Sequence, residues 1–146
     1  MRISMGCDHG GFYLKEALKA YLTEQGHTVA DCGCLRAERC DYPDFGAAAA
    51  RKVAEGDCDC GIVICTTGIG ISIAANKIHG IRCAHCSDVY SVEMTRRHND
   101  ANMLALGAGM LGEFTAKRMV DVFLTTAFEG GRHAERVRKI MALENE

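Results

Sequence analysis

Residues 61–77 read GIVICTTGIGISIAANK and contain the pattern that decides the fold. The first five residues are apolar or small and mostly β-branched, which is typical of a strand buried on both faces of a parallel sheet. A turn with Gly68 and Gly70 follows, and the small residues from Ile71 to Lys77 favour a helix. A strand, a glycine turn and a helix in this order present backbone N–H groups to an anion. The segment therefore predicts both a βα unit and a ligand site.

Cys65 stands at the carboxyl end of that predicted strand and beside the start of the predicted helix. Both positions favour the thiolate, which is the reactive form of a cysteine. Thr66 and Thr67 add hydroxyl groups next to it. Abstraction of a proton beside a carbonyl needs a base and fixed donors for the enediolate oxygen, and this segment supplies both. The alternative is that Cys65 is one more buried structural thiol.

Several classes of function are disfavoured by the sequence. The glycine turn lacks the lysine and the spacing of a nucleotide P-loop, and it lacks the third glycine of a dinucleotide fingerprint. A net charge of −2 argues against nucleic acid as the main partner. No apolar run is long enough for a membrane span, and no signal peptide precedes the first strand-like segment. We expect one cytoplasmic domain over residues 1–146.

The chain has nine cysteines, which leaves several interpretations open. A disulfide framework does not suit a chain of this length without an export signal. Three closely spaced pairs are candidates for metal binding: Cys32/Cys34, Cys58/Cys60 and Cys83/Cys86. None of them forms the two paired C-x2-C spacings of a zinc site, so we expect no metal and mostly reduced structural thiols.

Strand-like and helix-like patterns alternate along the chain. Strands are predicted at 2–7, 27–32, 61–65, 81–85 and 103–106, and helices at 12–24, 42–55, 71–77, 88–97, 113–127 and 132–143. This alternation predicts an α/β fold, a three-layer αβα sandwich of Rossmann or flavodoxin type with a five-stranded parallel sheet and an added C-terminal helix. In the flavodoxin order the first and third strands flank the ligand crevice. The loops after Cys7 and Cys65 would then meet there.

Three further groups of polar residues are candidates for the site. Asp8 and His9 follow the first strand, where they could bind sugar hydroxyls or move protons, or where Asp8 could simply cap the next helix. His98 lies at a predicted helix C-terminus, where a favourable contact with the helix dipole is the alternative. Arg132 and Arg136 share one helix face and could clamp a phosphate, or could belong to a solvated basic helix.

Five ordered motifs give the chain a resemblance to a known family. They are GCDHGG at 6–11, DYPDF at 41–45, CTTGIGISIAANK at 65–77, HNDAN at 98–102 and EGGRH at 129–133. Together they cover essentially the whole chain. In these motifs the chain resembles ribose-5-phosphate isomerase B and the related galactose-6-phosphate and allose-6-phosphate isomerases.

The resemblance implies an aldose–ketose isomerase that works through an enediolate without a metal or organic cofactor. Cys65 would be the base that moves a proton between C2 and C1, and Thr67 would assist it. His98, with Asp8, would open the furanose ring. The remaining residues implied for substrate binding are His9, Thr66, Gly68, Ile69, Gly70, Ser72, Asn99, Arg132, His133 and Arg136. Among these, backbone N–H groups from Gly68 to Ser72 would hold the enediolate oxygen, and His9, Arg132 and Arg136 would hold the phosphate.

The resemblance also implies a homodimer in which each site draws residues from two subunits, and such dimers could pair into a tetramer. Three positions bear on the expected activity. Ile71 stands where some relatives have a carboxylate base, which favours Cys65 in that role. Thr66 replaces a usual glycine, and Gly109 replaces a phosphate-binding arginine. We therefore expect weaker phosphate binding or a shifted substrate preference.

Ribose 5-phosphate is the leading substrate, and the motifs leave alternatives. A six-carbon sugar phosphate, such as allose 6-phosphate or galactose 6-phosphate, or a less phosphorylated sugar would suit the same chemistry. A non-catalytic domain that senses a sugar phosphate is a second class, although binding alone does not need a thiol base. A thiol or metal sensor built on the surplus cysteines is a third.

Overall fold

Apolar segments and amphipathic segments alternate in the chain, and they form a parallel sheet with helices on both faces. The computed structural model describes residues 1–146. The strands are β1 (Arg2–Cys7), β2 (Thr28–Asp31), β3 (Cys60–Cys65), β4 (Cys83–His85) and β5 (Met103–Gly107). The helices are α1 (Phe12–Glu24), α2 (Tyr42–Ala54), α3 (Ile69–Ala75), α4 (Val89–Asn99), α5 (Glu113–Thr125) and α6 (Arg132–Ala142), with a 3-10 turn at Leu143–Asn145. The predicted fold class is confirmed.

The strand order is β2-β1-β3-β5-β4, and every neighbouring pair is parallel. It differs from the flavodoxin order in that β4 and β5 are exchanged at one edge. All five residues of β5 are buried, which suits an inner strand, whereas β4 has three residues and ends in the exposed His85. Short strands are common at sheet edges. The exchange leaves β1 and β3 adjacent, with Cys7 paired to Ile64, so the loops after both strands emerge side by side.

Two apolar cores hold the layers together. Twenty buried residues pack on the sheet face covered by α1, α4 and α5, and ten pack on the face covered by α2 and α3. Helix α6 lies against α4. None of the helices has the length and apolar composition needed to cross a membrane.

A buried lysine supports the loop that follows β2. Lys15 in α1 has no exposed side-chain surface, and its ammonium donates to both oxygens of Asp31 at 2.8 and 3.0 Å and to the carbonyl of Cys34 at 3.2 Å. Burial by itself lowers the pKa of Lys15, but the hydrogen bonds to Asp31 and to Glu16 outweigh it and raise that pKa. The ion pair thus keeps its charge inside the fold.

All nine cysteines are free thiols. Burial raises the pKa of Cys60 and of Cys83 to about 12, and that of Cys86 to about 11. Such thiols stay protonated and behave as small apolar side chains. No group of three cysteines comes together as a metal site, because the one cluster of potential ligands contains only histidine and glutamate.

Candidate active site

The loops after β1 and β3 enclose a cavity of about 430 Å³. Its lining residues are Asp8, Tyr42, Cys65, Thr66, Thr67, Ile69 and Gly70. We call this cavity and its lining the Cys65 crevice. It lies beyond the carboxyl ends of β1 and β3, where the direction of strand addition reverses and where open α/β sheets bind their ligands. The sequence prediction that these two loops meet is confirmed.

The backbone after β3 turns so that an N–H group points at the sulfur of Cys65. The Gly68 N–H donates to Cys65 Sγ at 3.1 Å. Gly68 has a left-handed φ of +79°, and a Cβ there would lie 2.7 Å from the His85 ring and 2.8 Å from the backbone of Leu106. Only glycine fits this turn. A hydrogen bond donated to sulfur stabilises the anionic form of a thiol, which is the form that acts as a base.

Asp8 is buried at the edge of the Cys65 crevice. Its Oδ1 accepts hydrogen bonds from the N–H groups of Gly10 and Gly11 at 3.0 and 3.2 Å, just before α1 begins. Its Oδ2 has no hydrogen-bond partner in the chain and is not shut off from solvent. Asp8 therefore does not cap α1, whose N-cap residue is Gly11: one of its oxygens shapes the loop before the helix, and the other is free for a ligand.

Two backbone donors are free in the first turn of α3, fewer than the five predicted from Gly68 to Ser72. The Gly68 N–H binds sulfur, the Ile69 N–H donates to Thr67 Oγ1 at 3.3 Å, and the Ser72 N–H donates to the Gly68 carbonyl. Ser72 is also buried, and its hydroxyl donates to the Ile69 carbonyl at 2.7 Å. The N–H groups of Gly70 and Ile71 have no partner in the chain, and Gly70 alone of the two lines the crevice, since Ile71 is fully buried.

Two aromatic side chains flank the Cys65 crevice. The exposed His9 has Nδ1 within hydrogen-bond distance of the Cys40 backbone, which leaves its Nε2 free. Tyr42, which the sequence analysis did not select, lies across the glycine turn, since a Cβ on Gly70 would be 2.6 Å from its ring. The only sequence signal for Tyr42 is its place in the DYPDF motif.

The second group of predicted residues lies where α4, the α5–α6 connection and α6 meet. The rings of His98 and His133 stack with centroids 4.2 Å apart and planes 8° from parallel. Oε2 of Glu129 lies 3.6 Å from His133 Nε2 and 4.0 Å from His98 Nε2. We call these three residues the His98 cluster. The sequence analysis assigned no role to Glu129.

Near the His98 cluster, Glu129 has an ion-pair partner, whereas Arg132 and Arg136 have none. Arg97 Nε donates to the other oxygen of Glu129 at 2.5 Å, and this bond lowers the pKa of Glu129. Loss of water around His133 lowers the pKa of that imidazole, and the nearby positive charges of His98 and Arg132 lower it further. Arg132 and Arg136 are exposed and have no ion-pair partner in the chain, so their guanidinium groups are free for an anion.

The three potential ligand atoms of the His98 cluster lie within 4.8 Å of one another. Their geometry does not suit a metal ion. The lone pairs of two imidazoles lie in the ring planes, and planes 8° from parallel do not converge on one ion. Arg97 also already holds one oxygen of Glu129, and Arg132 adds positive charge beside the cluster. The arrangement favours proton transfer and anion binding.

Within one chain the two groups of predicted residues stay apart. No hydrogen bond, ion pair or shared cavity joins the Cys65 crevice to the His98 cluster, to Arg132 or to Arg136. Asn99 is exposed and lines a different cavity, of about 240 Å³, with Arg82, whose Nε donates to the Asn99 carbonyl at 3.1 Å. The chain therefore carries two incomplete parts of one predicted site.

The resemblance seen in the motifs extends to known proteins and solved structures. The family model described as Ribose/Galactose Isomerase matches residues 3–140. Ribose-5-phosphate isomerase B of Escherichia coli is 50% identical over 143 residues, which cover 98% of this chain and 96% of that protein. Among solved structures, ribose-5-phosphate isomerase B of Clostridium thermocellum has a TM-score of 0.98 at 51% identity and covers 99% of this chain and 98% of its own.

A third relative was solved with a sugar phosphate. Ribose-5-phosphate isomerase B of Mycoplasma genitalium with bound ribulose 5-phosphate has a TM-score of 0.95 at 37% identity, covering 99% of this chain and 97% of its own. These matches extend over nearly the full length of each protein. With its fold, its Cys65 crevice and its motifs, the chain belongs to the ribose/galactose isomerase family.

Proposed function

We propose that this protein interconverts ribose 5-phosphate and ribulose 5-phosphate by proton transfer through an enediolate. One observation carries the proposal: the Cys65 sulfur accepts a hydrogen bond from Gly68 and lines the same cavity as Asp8. The substrate is supported by the relatives of this chain, which include the E. coli ribose-5-phosphate isomerase B and the M. genitalium enzyme with bound ribulose 5-phosphate.

In the isomerisation step the thiolate of Cys65 takes the proton from C2 of the open-chain aldose, and the thiol so formed, which can exchange its proton with solvent, gives a proton to C1. The hydroxyl proton moves from O2 to O1, and Thr67 is placed to assist this movement. The free N–H group of Gly70, which lines the crevice, stabilises the negative oxygen of the enediolate. The step balances with protons and electron pairs alone, so we propose that it needs no cofactor.

The furanose ring must open before C2 can react. We assign this step to His98 and Asp8: the imidazolium of His98 gives a proton to the ring oxygen as its bond to C1 breaks, and Asp8 takes the proton of the C1 hydroxyl. The phosphate would be held by the unpaired guanidinium groups of Arg132 and Arg136 together with His9, and Asn99 would contact the sugar.

A homodimer would bring these parts together. The Cys65 crevice and the His98 cluster are unconnected within one chain, and each lacks groups that the other supplies. Beside the crevice, the side chains of Tyr42, Ile69 and Ile73 are 40%, 52% and 56% exposed, which is unusual for large apolar residues in a single soluble chain. In a two-fold dimer one contact occurs twice, so two complete sites would form.

The proposal is tested by proton NMR of ribose 5-phosphate with the enzyme and a chelator in heavy water. We expect ribulose 5-phosphate with solvent deuterium at C1. Cys65→Ala should abolish conversion. Cys60→Ala is the matched control, because Cys60 is a buried thiol at the other end of β3 and should tolerate the change. Full activity of Cys65→Ala would contradict the mechanism, and conversion only of six-carbon phosphates would correct the substrate.

A further inference from the structure

Glu129 is held so that one of its oxygens faces two imidazoles. Arg97 binds Oε1 at 2.5 Å, and the Glu129 N–H donates to the Arg97 carbonyl at 3.0 Å. Arg97 is itself fixed by Glu93 at 2.9 Å. The second oxygen is thereby directed at His133 and His98, at 3.6 and 4.0 Å. These distances allow an ion pair but are too long for hydrogen bonds, so the effect of Glu129 on both rings is electrostatic.

His133 is the buried partner in the cluster. Its side chain is 7% exposed, against 38% for His98, and its lowered pKa keeps it neutral at pH 7. A neutral flat ring stacked on another restricts how the outer ring can turn. His133 therefore fixes the plane of His98 without adding a competing positive charge.

We propose that Glu129 and His133 are positioning residues for His98 in the ring-opening step. His133 sets the orientation of the His98 ring, and the carboxylate of Glu129 stabilises the imidazolium from which the proton is given. The inference rests on the proposed function, since it needs His98 to act as the ring-opening acid. It adds Glu129 to the site and gives His133, already predicted to bind substrate, a role in positioning His98.

The test separates ring opening from proton transfer. Exchange of the C1 hydrogen of ribulose 5-phosphate with heavy water needs proton transfer only, because this ketose has no furanose ring to open. Conversion of ribose 5-phosphate needs both steps. For Glu129→Gln we expect kcat for ribose 5-phosphate to fall roughly tenfold or more, while the exchange rate stays within about twofold of wild type.

Matched variants exclude a merely structural effect. Glu135→Gln makes the same change on α6, at an exposed residue paired with Arg138, and should leave both rates unchanged. His133→Phe keeps a flat ring and His133→Leu does not, so the ratio of conversion to exchange should fall further in His133→Leu than in His133→Phe. Equal losses of conversion and exchange, or no loss of conversion in Glu129→Gln, would overturn the inference. A wild-type protein that shows neither reaction would instead refute the proposed function.

Discussion

The Cys65 crevice and the His98 cluster are built in opposite ways. The crevice is formed by backbone: two strand ends, a left-handed glycine and the first turn of α3 fix Cys65 and Asp8. The His98 cluster is formed by side chains from separate elements, which contact one another near the surface. The crevice can hold a reacting carbonyl, and the cluster can supply a proton and bind an anion.

This difference shows how the chemical roles of one proposed site are divided between the Cys65 crevice and the His98 cluster. A base that must reach a carbon atom needs rigid donors beside it, and strand ends provide them. Ring opening and phosphate binding need charged side chains, and the helix ends of the His98 cluster carry them. In the proposed mechanism neither region would complete the reaction alone, which leads to predictions about how the two regions meet, how stable each is and what chemistry each performs.

The largest expected effect tests whether the two regions meet only between copies of the chain. Cys65→Ala and His98→Asn should each be nearly inactive. When the two variants are refolded together in equal amounts, about a quarter of the wild-type activity should return, because half of the dimers are mixed and each mixed dimer has one intact site. The initial rate of ribulose 5-phosphate formation measures this recovery.

The control for that experiment combines two defects in the same region. A mixture of Cys65→Ala and Asp8→Asn should stay inactive, because both residues belong to the crevice of one chain. Recovery in the control mixture, or no recovery with His98→Asn, would show that the division between subunits is wrong. Sedimentation of each mixture confirms that dimers have formed.

The second prediction concerns stability, which should depend on the buried ion pair that supports the loop after β2. Lys15→Met removes a buried ammonium that binds Asp31 and the loop after β2, and should lower the free energy of unfolding by about 3 kcal/mol. Lys19→Met removes an ammonium 39% exposed that also binds Asp31, and should cost below about 1 kcal/mol. Urea unfolding followed by far-UV circular dichroism compares them, since the chain has no tryptophan.

Similar losses in the two lysine variants would show that burial of Lys15 gives its ion pair no special weight. Glu129→Gln gives a further comparison, because the exposed ion pair of Arg97 and Glu129 should contribute little to the free energy of unfolding. The buried ion pair would then stabilise the fold, whereas the exposed pair in the cluster would not.

Much of the fold is readable from local patterns. The inner strands β1, β3 and β5 are apolar runs, and Pro43 and Asp88 mark the starts of α2 and α4, so the alternation of strands and helices could be predicted. The exchange of β4 and β5 could not, because strand order depends on which helices cover the sheet. Only the complete burial of β5 and the exposed His85 of β4 explain it afterwards.

The same limit applies to the candidate site. Cys65 and Asp8 directly follow strands, and their meeting follows from the topology. Tyr42 reaches the crevice only because α2 packs across the bare backbone of Gly70. Glu129 reaches His98 only through the packing of α6 on α4, which no spacing in the sequence encodes.

A smaller effect is expected from Thr66 and Gly109, the two positions where the chain departs from the usual residues of the family. An ideal Cβ at Gly109 would lie 3.1 Å from Thr66 Cγ2, and one at Gly10 would lie 2.2 Å from Thr66 Oγ1. The Cβ at Gly109 would also lie 3.1 Å from the Thr66 carbonyl oxygen, so the side chain of Thr66 accounts for part of the crowding at position 109. Gly109→Arg alone should change the KM for ribose 5-phosphate little, whereas Thr66→Gly with Gly109→Arg should lower it, by up to about tenfold for a charge-assisted bond to phosphate.

Thr66→Gly alone is the control for loss of the threonine hydroxyl. An equal fall in KM with Gly109→Arg alone would show that Thr66 does not obstruct the position. An unchanged KM in the double variant would show that Arg132 and Arg136 already provide all of the phosphate binding.

The smallest expected effect is on how the free energy of unfolding depends on pH through His133. In the fold, burial and nearby positive charge lower the pKa of His133, whereas in the unfolded chain it returns to about 6.5. Below that pH the unfolded state binds a proton that the folded state does not, so the free energy of unfolding falls as pH falls from about 7 to about 5.5. Glu129 and Asp31, whose pKa values are lowered from carboxyl values, titrate below this window.

His133→Phe keeps the stacked ring but cannot titrate, so its urea midpoint should fall less over this pH range than that of the wild type. His79→Phe makes the same change at an exposed histidine outside the His98 cluster and serves as the control. Both are measured at one protein concentration, because dimer formation adds to apparent stability. An unchanged pH dependence in His133→Phe would mean that His133 charges freely in the fold, and the ring stacked on His98 would then add positive charge where the mechanism needs a neutral support.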